Sequence, residues 1–179
     1  MTMRRTIATI LLAATAVLTV GCSDDPNKGY STQSLYPEKV KSVAVPMWNR
    51  GGKVYRRGWE YTLTEAIQKQ IQLDTKYKIL PTSRADTILE GTIDEISQRV
   101  LSNDPDSGNP REKEIRFEVS FTWKDLRTGE ILAQRTRMPV TATYIPLQPF
   151  SEDFFQGGQD AANRIAQAVV EQMESDWGK

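Results

Sequence analysis

The most regular stretch of the chain runs from Glu114 to Lys124. There Ile115, Phe117, Val119, Phe121 and Trp123 alternate with Arg116, Glu118, Ser120, Thr122 and Lys124. A period of two sends the apolar set to one face of a strand and the polar set to the other. This is the pattern of an antiparallel sheet covered on a single side. Asp125-Leu126-Arg127-Thr128-Gly129 then reads as a hairpin turn with Gly129 available for positive φ, and the return strand runs from Glu130 to about Tyr144. Upstream, Asp86 to Leu101 reads as a long strand with Thr87, Leu89, Gly91 and Ile93 on one parity. Its apolar positions then move to Ile96 and Val100 on the other. A change of parity within one strand predicts a bulge near Asp94 and Glu95. Ser102 to Pro110 is dense in turn formers and reads as a loop.

Two stretches change period. Tyr55, Trp59, Leu63, Ile67 and Ile71 recur every four residues, Ala66 widens the stripe, and Arg57, Glu60, Thr64, Gln68 and Gln72 lie opposite. The spacing predicts an amphipathic helix over 55–75 that wets one face. A second helix is expected over 153–176, with Ala161, Ala162, Ile165, Val169 and Met173 as its stripe. Lys39 to Trp48 is a β-rich stretch in which Pro46 points to an edge position or to the strand's end. Asn49-Arg50-Gly51-Gly52 reads as a loop, and Tyr77 to Leu80 as a short extended piece stopped by Pro81. The order is β-α-β-β-β-α. It predicts an α+β fold, a two-layer α/β sandwich with two helices on one face of a four-stranded, mostly antiparallel sheet whose other face is polar.

The N-terminus follows a different pattern. Arg4 and Arg5 precede an almost unbroken apolar run from Ile7 to Val20. The run is too short to span a bilayer, which takes ~20 residues, and reads as an export signal. It ends Leu18-Thr19-Val20-Gly21-Cys22, and Cys22 is the chain's one cysteine. This resembles a bacterial lipobox, with Thr19 where the pattern usually carries leucine. A lone cysteine in an exported protein lacks a disulfide partner. Acylation gives it a role, since each buried methylene contributes ~0.8 kcal/mol to membrane attachment. The expected organisation is a lipoprotein signal peptide over 1–21, a lipidated cysteine and polar tether over 22–36, and one α/β domain over 37–179. Ser23 after the cysteine resembles the proteobacterial signal for the outer membrane, while Asp24 and Asp25 pull against it.

Charge and composition narrow the chemistry. Loss of Arg4 and Arg5 with the leader leaves 21 basic residues against 23 acidic, a net charge of −2. A basic surface for nucleic acid is therefore not expected. The chain contains no histidine, which removes Ser-His and Cys-His nucleophile pairs and most transition-metal sites. Gly51-Gly52 and Gly157-Gly158 are isolated pairs rather than phosphate loops. The expectation is a non-enzyme without cofactor or metal.

Three stretches together resemble the LptE family of lipopolysaccharide-assembly lipoproteins. They are Val40-Lys41-Ser42-Val43-Ala44-Val45-Pro46 before an amphipathic helix, Ala85 to Ile93 running on to Ser102, and Phe121 to Glu130 leading to a terminal helix. The resemblance implies an outer-membrane protein on the periplasmic side that plugs an LptD-type β-barrel, assists its assembly and binds lipopolysaccharide in transit. A polar sheet face suits the polar lumen of a large barrel, and equally suits water. Lipopolysaccharide phosphates call for Arg or Lys. Candidate ligand-binding residues are Arg99, Arg127, Arg135 and Arg137, of which Arg135 and Arg137 share a strand parity and are expected to point the same way. Against this stands an ordinary solvated face with Glu118 nearby. Tyr144 to Phe150, with Phe154 and Phe155, is apolar enough for a barrel contact or for packing over the sheet's end. A competing function is a periplasmic regulatory lipoprotein that activates a cell-wall or secretion enzyme.

Overall fold

A computed structural model describes residues 36–146 and 154–174. The signal peptide, Cys22, nearly all of the tether and residues 147–150 of the apolar loop lie outside the described residues. The elements are β1 (Ser42–Ala44), β2 (Asn49–Lys53), α1 (Trp59–Asp74), β3 (Lys78–Ile79), β4 (Thr87–Asn103), β5 (Pro110–Asp125), β6 (Ile131–Tyr144) and α2 (Phe154–Glu171).

The alternating apolar face of β5 organises the rest. Ile115, Phe117, Val119, Phe121 and Trp123 are all buried, and β4 and β6 flank β5 antiparallel on either side. On the covered face lie α1, through Trp59, Leu63, Ile67 and Ile71, and α2, through Ala161, Ala162, Ile165 and Val169. Trp59 joins both helices to the sheet, with its ring 5.5 Å from Phe117, 5.7 Å from Phe154 and 5.4 Å from Phe155 between centroids. The helical stripes are as the sequence predicts, with two corrections. Tyr55 precedes α1 and is 90% exposed. Thr64, expected on the wet face, is buried and accepts the main-chain N–H of Trp48 at 3.0 Å.

The sheet has six strands rather than four, in the order β3-β1-β4-β5-β6, with β2 also on β4. The two additional strands are short and without apolar alternation, so their sequence carries no period to read. β1 lies between β3 and β4, parallel to both, so Pro46 marks the end of the strand and not an edge. The chain then resumes as β2 beside the same strand, parallel to β4 at Asn49↔Thr92 and Lys53↔Glu95. Glycine permits this approach: a Cβ at Gly51 would fall 2.8 Å from the carbonyl oxygen of Ile93. Between the two segments Trp48 turns inward and lies over Gly91, where a Cβ would fall 2.6 Å from its ring.

The expected bulge is present. Ile93 pairs with Val119 and Glu95 with Glu118, which leaves Asp94 as the extra residue. A second irregularity lies across β5, between Arg135, opposite Phe121, and Met138, opposite Val119. Arg137 there takes a φ of 51°. Ser120 ties the two together: its hydroxyl donates to the Asp94 carboxylate at 2.6 Å and accepts the Arg137 N–H at 3.0 Å.

Candidate functional site

The side of the sheet turned away from the helices is polar along all three long strands. By register it carries Glu90, Thr92, Glu95, Ser97 and Arg99 from β4, and Glu114, Arg116, Glu118, Ser120, Thr122 and Lys124 from β5. Gln134, Thr141 and Thr143 follow from β6. The cause is the period of two: once the apolar set is committed to the helices, every intervening residue must face outward.

Charges on this face form ion pairs, three between neighbouring strands and one, Arg116–Glu118, along β5. Lys53 Nζ stands 3.0 Å from Glu95, Arg116 3.1 Å and Arg137 3.4 Å from Glu118, and Arg99 2.8 Å from Glu114. Glu95 and Glu118 face each other directly in register, an unfavourable juxtaposition of like charges that the three neighbouring cations offset. The Glu95 carboxyl is held below the usual carboxylate range, first by the hydrogen bond from Lys53, then by the charges of Lys53, Arg137 and Arg116. These pairs are solvated, and such pairs contribute ~0–1 kcal/mol each. The mosaic therefore adds little to stability. Beside it a shallow basin of about 310 Å³ is lined by Asn49, Glu90, Thr92, Ser120, Thr122, Gln134, Arg135 and Thr136, a set rich in hydroxyl and amide groups.

The structure does not gather the four candidate arginines into one site. Arg99 pairs with Glu114 toward the far end of β4. Arg127 sits in the β5–β6 turn, 3.8 Å from Asp125, and at ~3.3 Å per residue it lies roughly 40 Å along β5 from Glu114. Asp125 itself shapes the turn by accepting the N–H groups of Arg127 and Thr128, which hold its carboxyl below the usual range. The expectation that Arg135 and Arg137 point the same way is corrected. The irregularity between them leaves Arg135 on the parity of Phe121 and brings Arg137 against Glu118. Instead Arg137 joins Arg116 and Lys53. Arg116 was legible from the alternation of β5, whereas Lys53 sits on a strand that the sequence does not announce.

Among the described residues no group of three or more His, Cys, Asp or Glu side chains is placed to hold a metal ion, and no helix is long and apolar enough to cross a membrane.

Comparison with known proteins extends the picture. The family model described as LptE, lipopolysaccharide-assembly, matches residues 40–177. No curated protein sequence matches the chain. Among solved structures, the chain is similar to a lipoprotein B from Nitrosomonas europaea, with 16% identity and a TM-score of 0.55 over 82% of this chain and 89% of that one. It is also similar to a hypothetical protein from Chlamydia trachomatis, with 11% identity and a TM-score of 0.51 over 75% of this chain and 98% of that one. Those two likenesses concern the fold. The family match covers both helices and the whole sheet, and the chain belongs to the LptE family of lipopolysaccharide-assembly proteins.

Proposed function

We propose that this protein is an outer-membrane lipoprotein, held on the periplasmic side by acylated Cys22, which assists lipopolysaccharide transport as the plug and assembly partner of an LptD-type β-barrel. Its part is structural and not catalytic. The observation that carries this reading is the continuous polar face of β4, β5 and β6, with its Lys53–Glu95 and Arg116–Glu118–Arg137 pairs. A surface of that kind can rest against the polar interior of a large barrel without burying unpaired charge, and its cations can exchange a carboxylate partner for a lipid phosphate. Arg116 and Arg137 share Glu118 and are the favoured phosphate contacts. Arg135, at the rim of the neighbouring basin, is an additional one, and Arg99 and Arg127 are outlying.

Affinity purification of the lipidated protein from solubilised outer membranes tests the reading. A large β-barrel protein should be retained through detergent washes. Recovery of a peptidoglycan synthase or a secretion enzyme with no barrel protein would overturn it.

A further inference from the structure

We infer that the outer edge of β4 from Ile96 to Val100 is a docking slot for an extended polypeptide strand in which apolar and acidic residues alternate. β4 outruns the row of strands beside it. On that side β1 covers Thr87 and Ile88 and β2 covers Thr92 to Glu95. No described strand continues the row, although β5 follows β4 on its other side as far as Asn103. An edge of this kind offers main-chain donors and acceptors that another chain can complete.

The remaining edges are blunted. β3 has two residues, and β2 is irregular between Arg50 and Lys53. The long edge of β6 carries Pro139, which has no N–H to donate, and the irregularity at Arg137. Ile96 to Val100 has neither proline nor a break in its register with β5. Natural sheets protect their free edges, and no described strand or proline protects this stretch, which marks it as a place for pairing.

The flanks specify the occupant. Beside the edge, on the helix side, is a cleft of about 190 Å³ lined by Val54, Tyr55, Arg56, Trp59, Ile96 and Phe154. Side chains of a docked strand would alternate between this cleft and the open polar face. The cleft's aromatic walls take apolar residues. Arg56 lies 4.1 Å from the centre of the Phe154 ring, and neither Arg56 nor Arg57 forms an ion pair with a described residue. On the open face Lys53 and Arg99 flank the slot. Each is paired with a carboxylate, Glu95 and Glu114, and acidic residues on the open side of a docked strand, between its apolar ones, can share these cations.

The test uses the full lipidated chain in detergent and a fluorescein-labelled decapeptide that alternates valine and glutamate. Binding is read by anisotropy, and its location by hydrogen exchange. The expected result is saturable binding with new amide protection confined to residues 96–100. N-methylation of alternate peptide nitrogens should weaken binding about tenfold or more, since each lost main-chain hydrogen bond removes a factor of several. The K53E/R99E double variant, which reverses the two cations on the side the glutamates face, should weaken it about fivefold, and should favour a valine–lysine peptide instead. Absence of binding, equal binding of the N-methylated peptide, or protection elsewhere would overturn the inference. So would a 96–100 edge already protected in the free protein, whether by a second copy (concentration-dependent) or by the chain itself.

Discussion

Replacing Gly158 by alanine tests how α1 and α2 are packed. Judged as a helix position alone, the change should stabilise the protein by ~1 kcal/mol, because glycine is a poor helix former. The tertiary structure opposes it. A Cβ at 158 would fall 2.0 Å from Cη2 and 2.7 Å from Cζ2 of Trp59, where non-bonded carbons settle at ~3.5–4.0 Å. The indole would have to retreat by about 1.5 Å to restore contact distance. It is 2% exposed and ringed by Phe117, Phe154 and Phe155. Overpacking of this kind costs ~1–3 kcal/mol, and a blocked ring belongs at the upper end. Set against the propensity gain, Gly158→Ala should cost about 2 kcal/mol net, or roughly 4–8 °C in Tm for a chain of this size. Urea unfolding of the detergent-solubilised protein, followed by circular dichroism, measures it directly. The control is the Trp59→Leu background, which opens space beside residue 158. There the same alanine should stabilise by up to ~1 kcal/mol. Stabilisation by Gly158→Ala in the parent protein, or an unchanged cost in the Trp59→Leu background, would refute the packing argument.

Three further outcomes are expected. Asp86 accepts the Ser42 hydroxyl at 2.9 Å and the Lys41 N–H at 3.3 Å, and these hold its carboxyl below the usual range. Its contribution is therefore present above the ordinary carboxylate pKa of about 4 and lost as pH falls through the lowered folded value. The stability gap between the parent and Asp86→Asn should close in acid unfolding series below about pH 4. Arg116→Ala and Arg137→Ala should each shift the urea-derived stability by less than ~1 kcal/mol, yet the double variant should lose retention of the barrel partner. Normal retention would remove the polar face from that role. Cys22→Ser should abolish incorporation of radiolabelled palmitate and release the protein from sedimented membranes; continued sedimentation would argue against a lipid anchor.

How much was legible varies with the physical source of each feature. The helical stripes of α1 and α2 and the alternation of β5 were plain, because each residue there is committed to core or water by its own side chain. The bulge at Asp94 was equally legible, since a register slip moves the apolar set to the other parity and leaves a trace. β2 was hidden: Asn49-Arg50-Gly51-Gly52-Lys53 has no apolar period and is a strand only because β4 presents an unpaired edge. The fate of Arg137 was hidden for a related reason, as no glycine or asparagine announces the positive φ that turns it away from Arg135.

The sequence by itself therefore determined most of the residues that face the core, the two-layer arrangement and the polar outer face, all of which follow from side-chain hydrophobicity repeated at fixed periods. Gly157 and Gly158 show what it did not determine. Read along the chain they are an unexplained weakness in a helix. In the folded protein they are where Tyr144 and Trp59 press against α2, with a Cβ at either position falling within 2.8 Å of a ring. The six-stranded sheet, the Lys53–Glu95 pair and the stretch of β4 beyond it that no described strand borders were likewise decided only in three dimensions. Each depends on contacts between residues far apart in sequence, and no local period encodes such contacts.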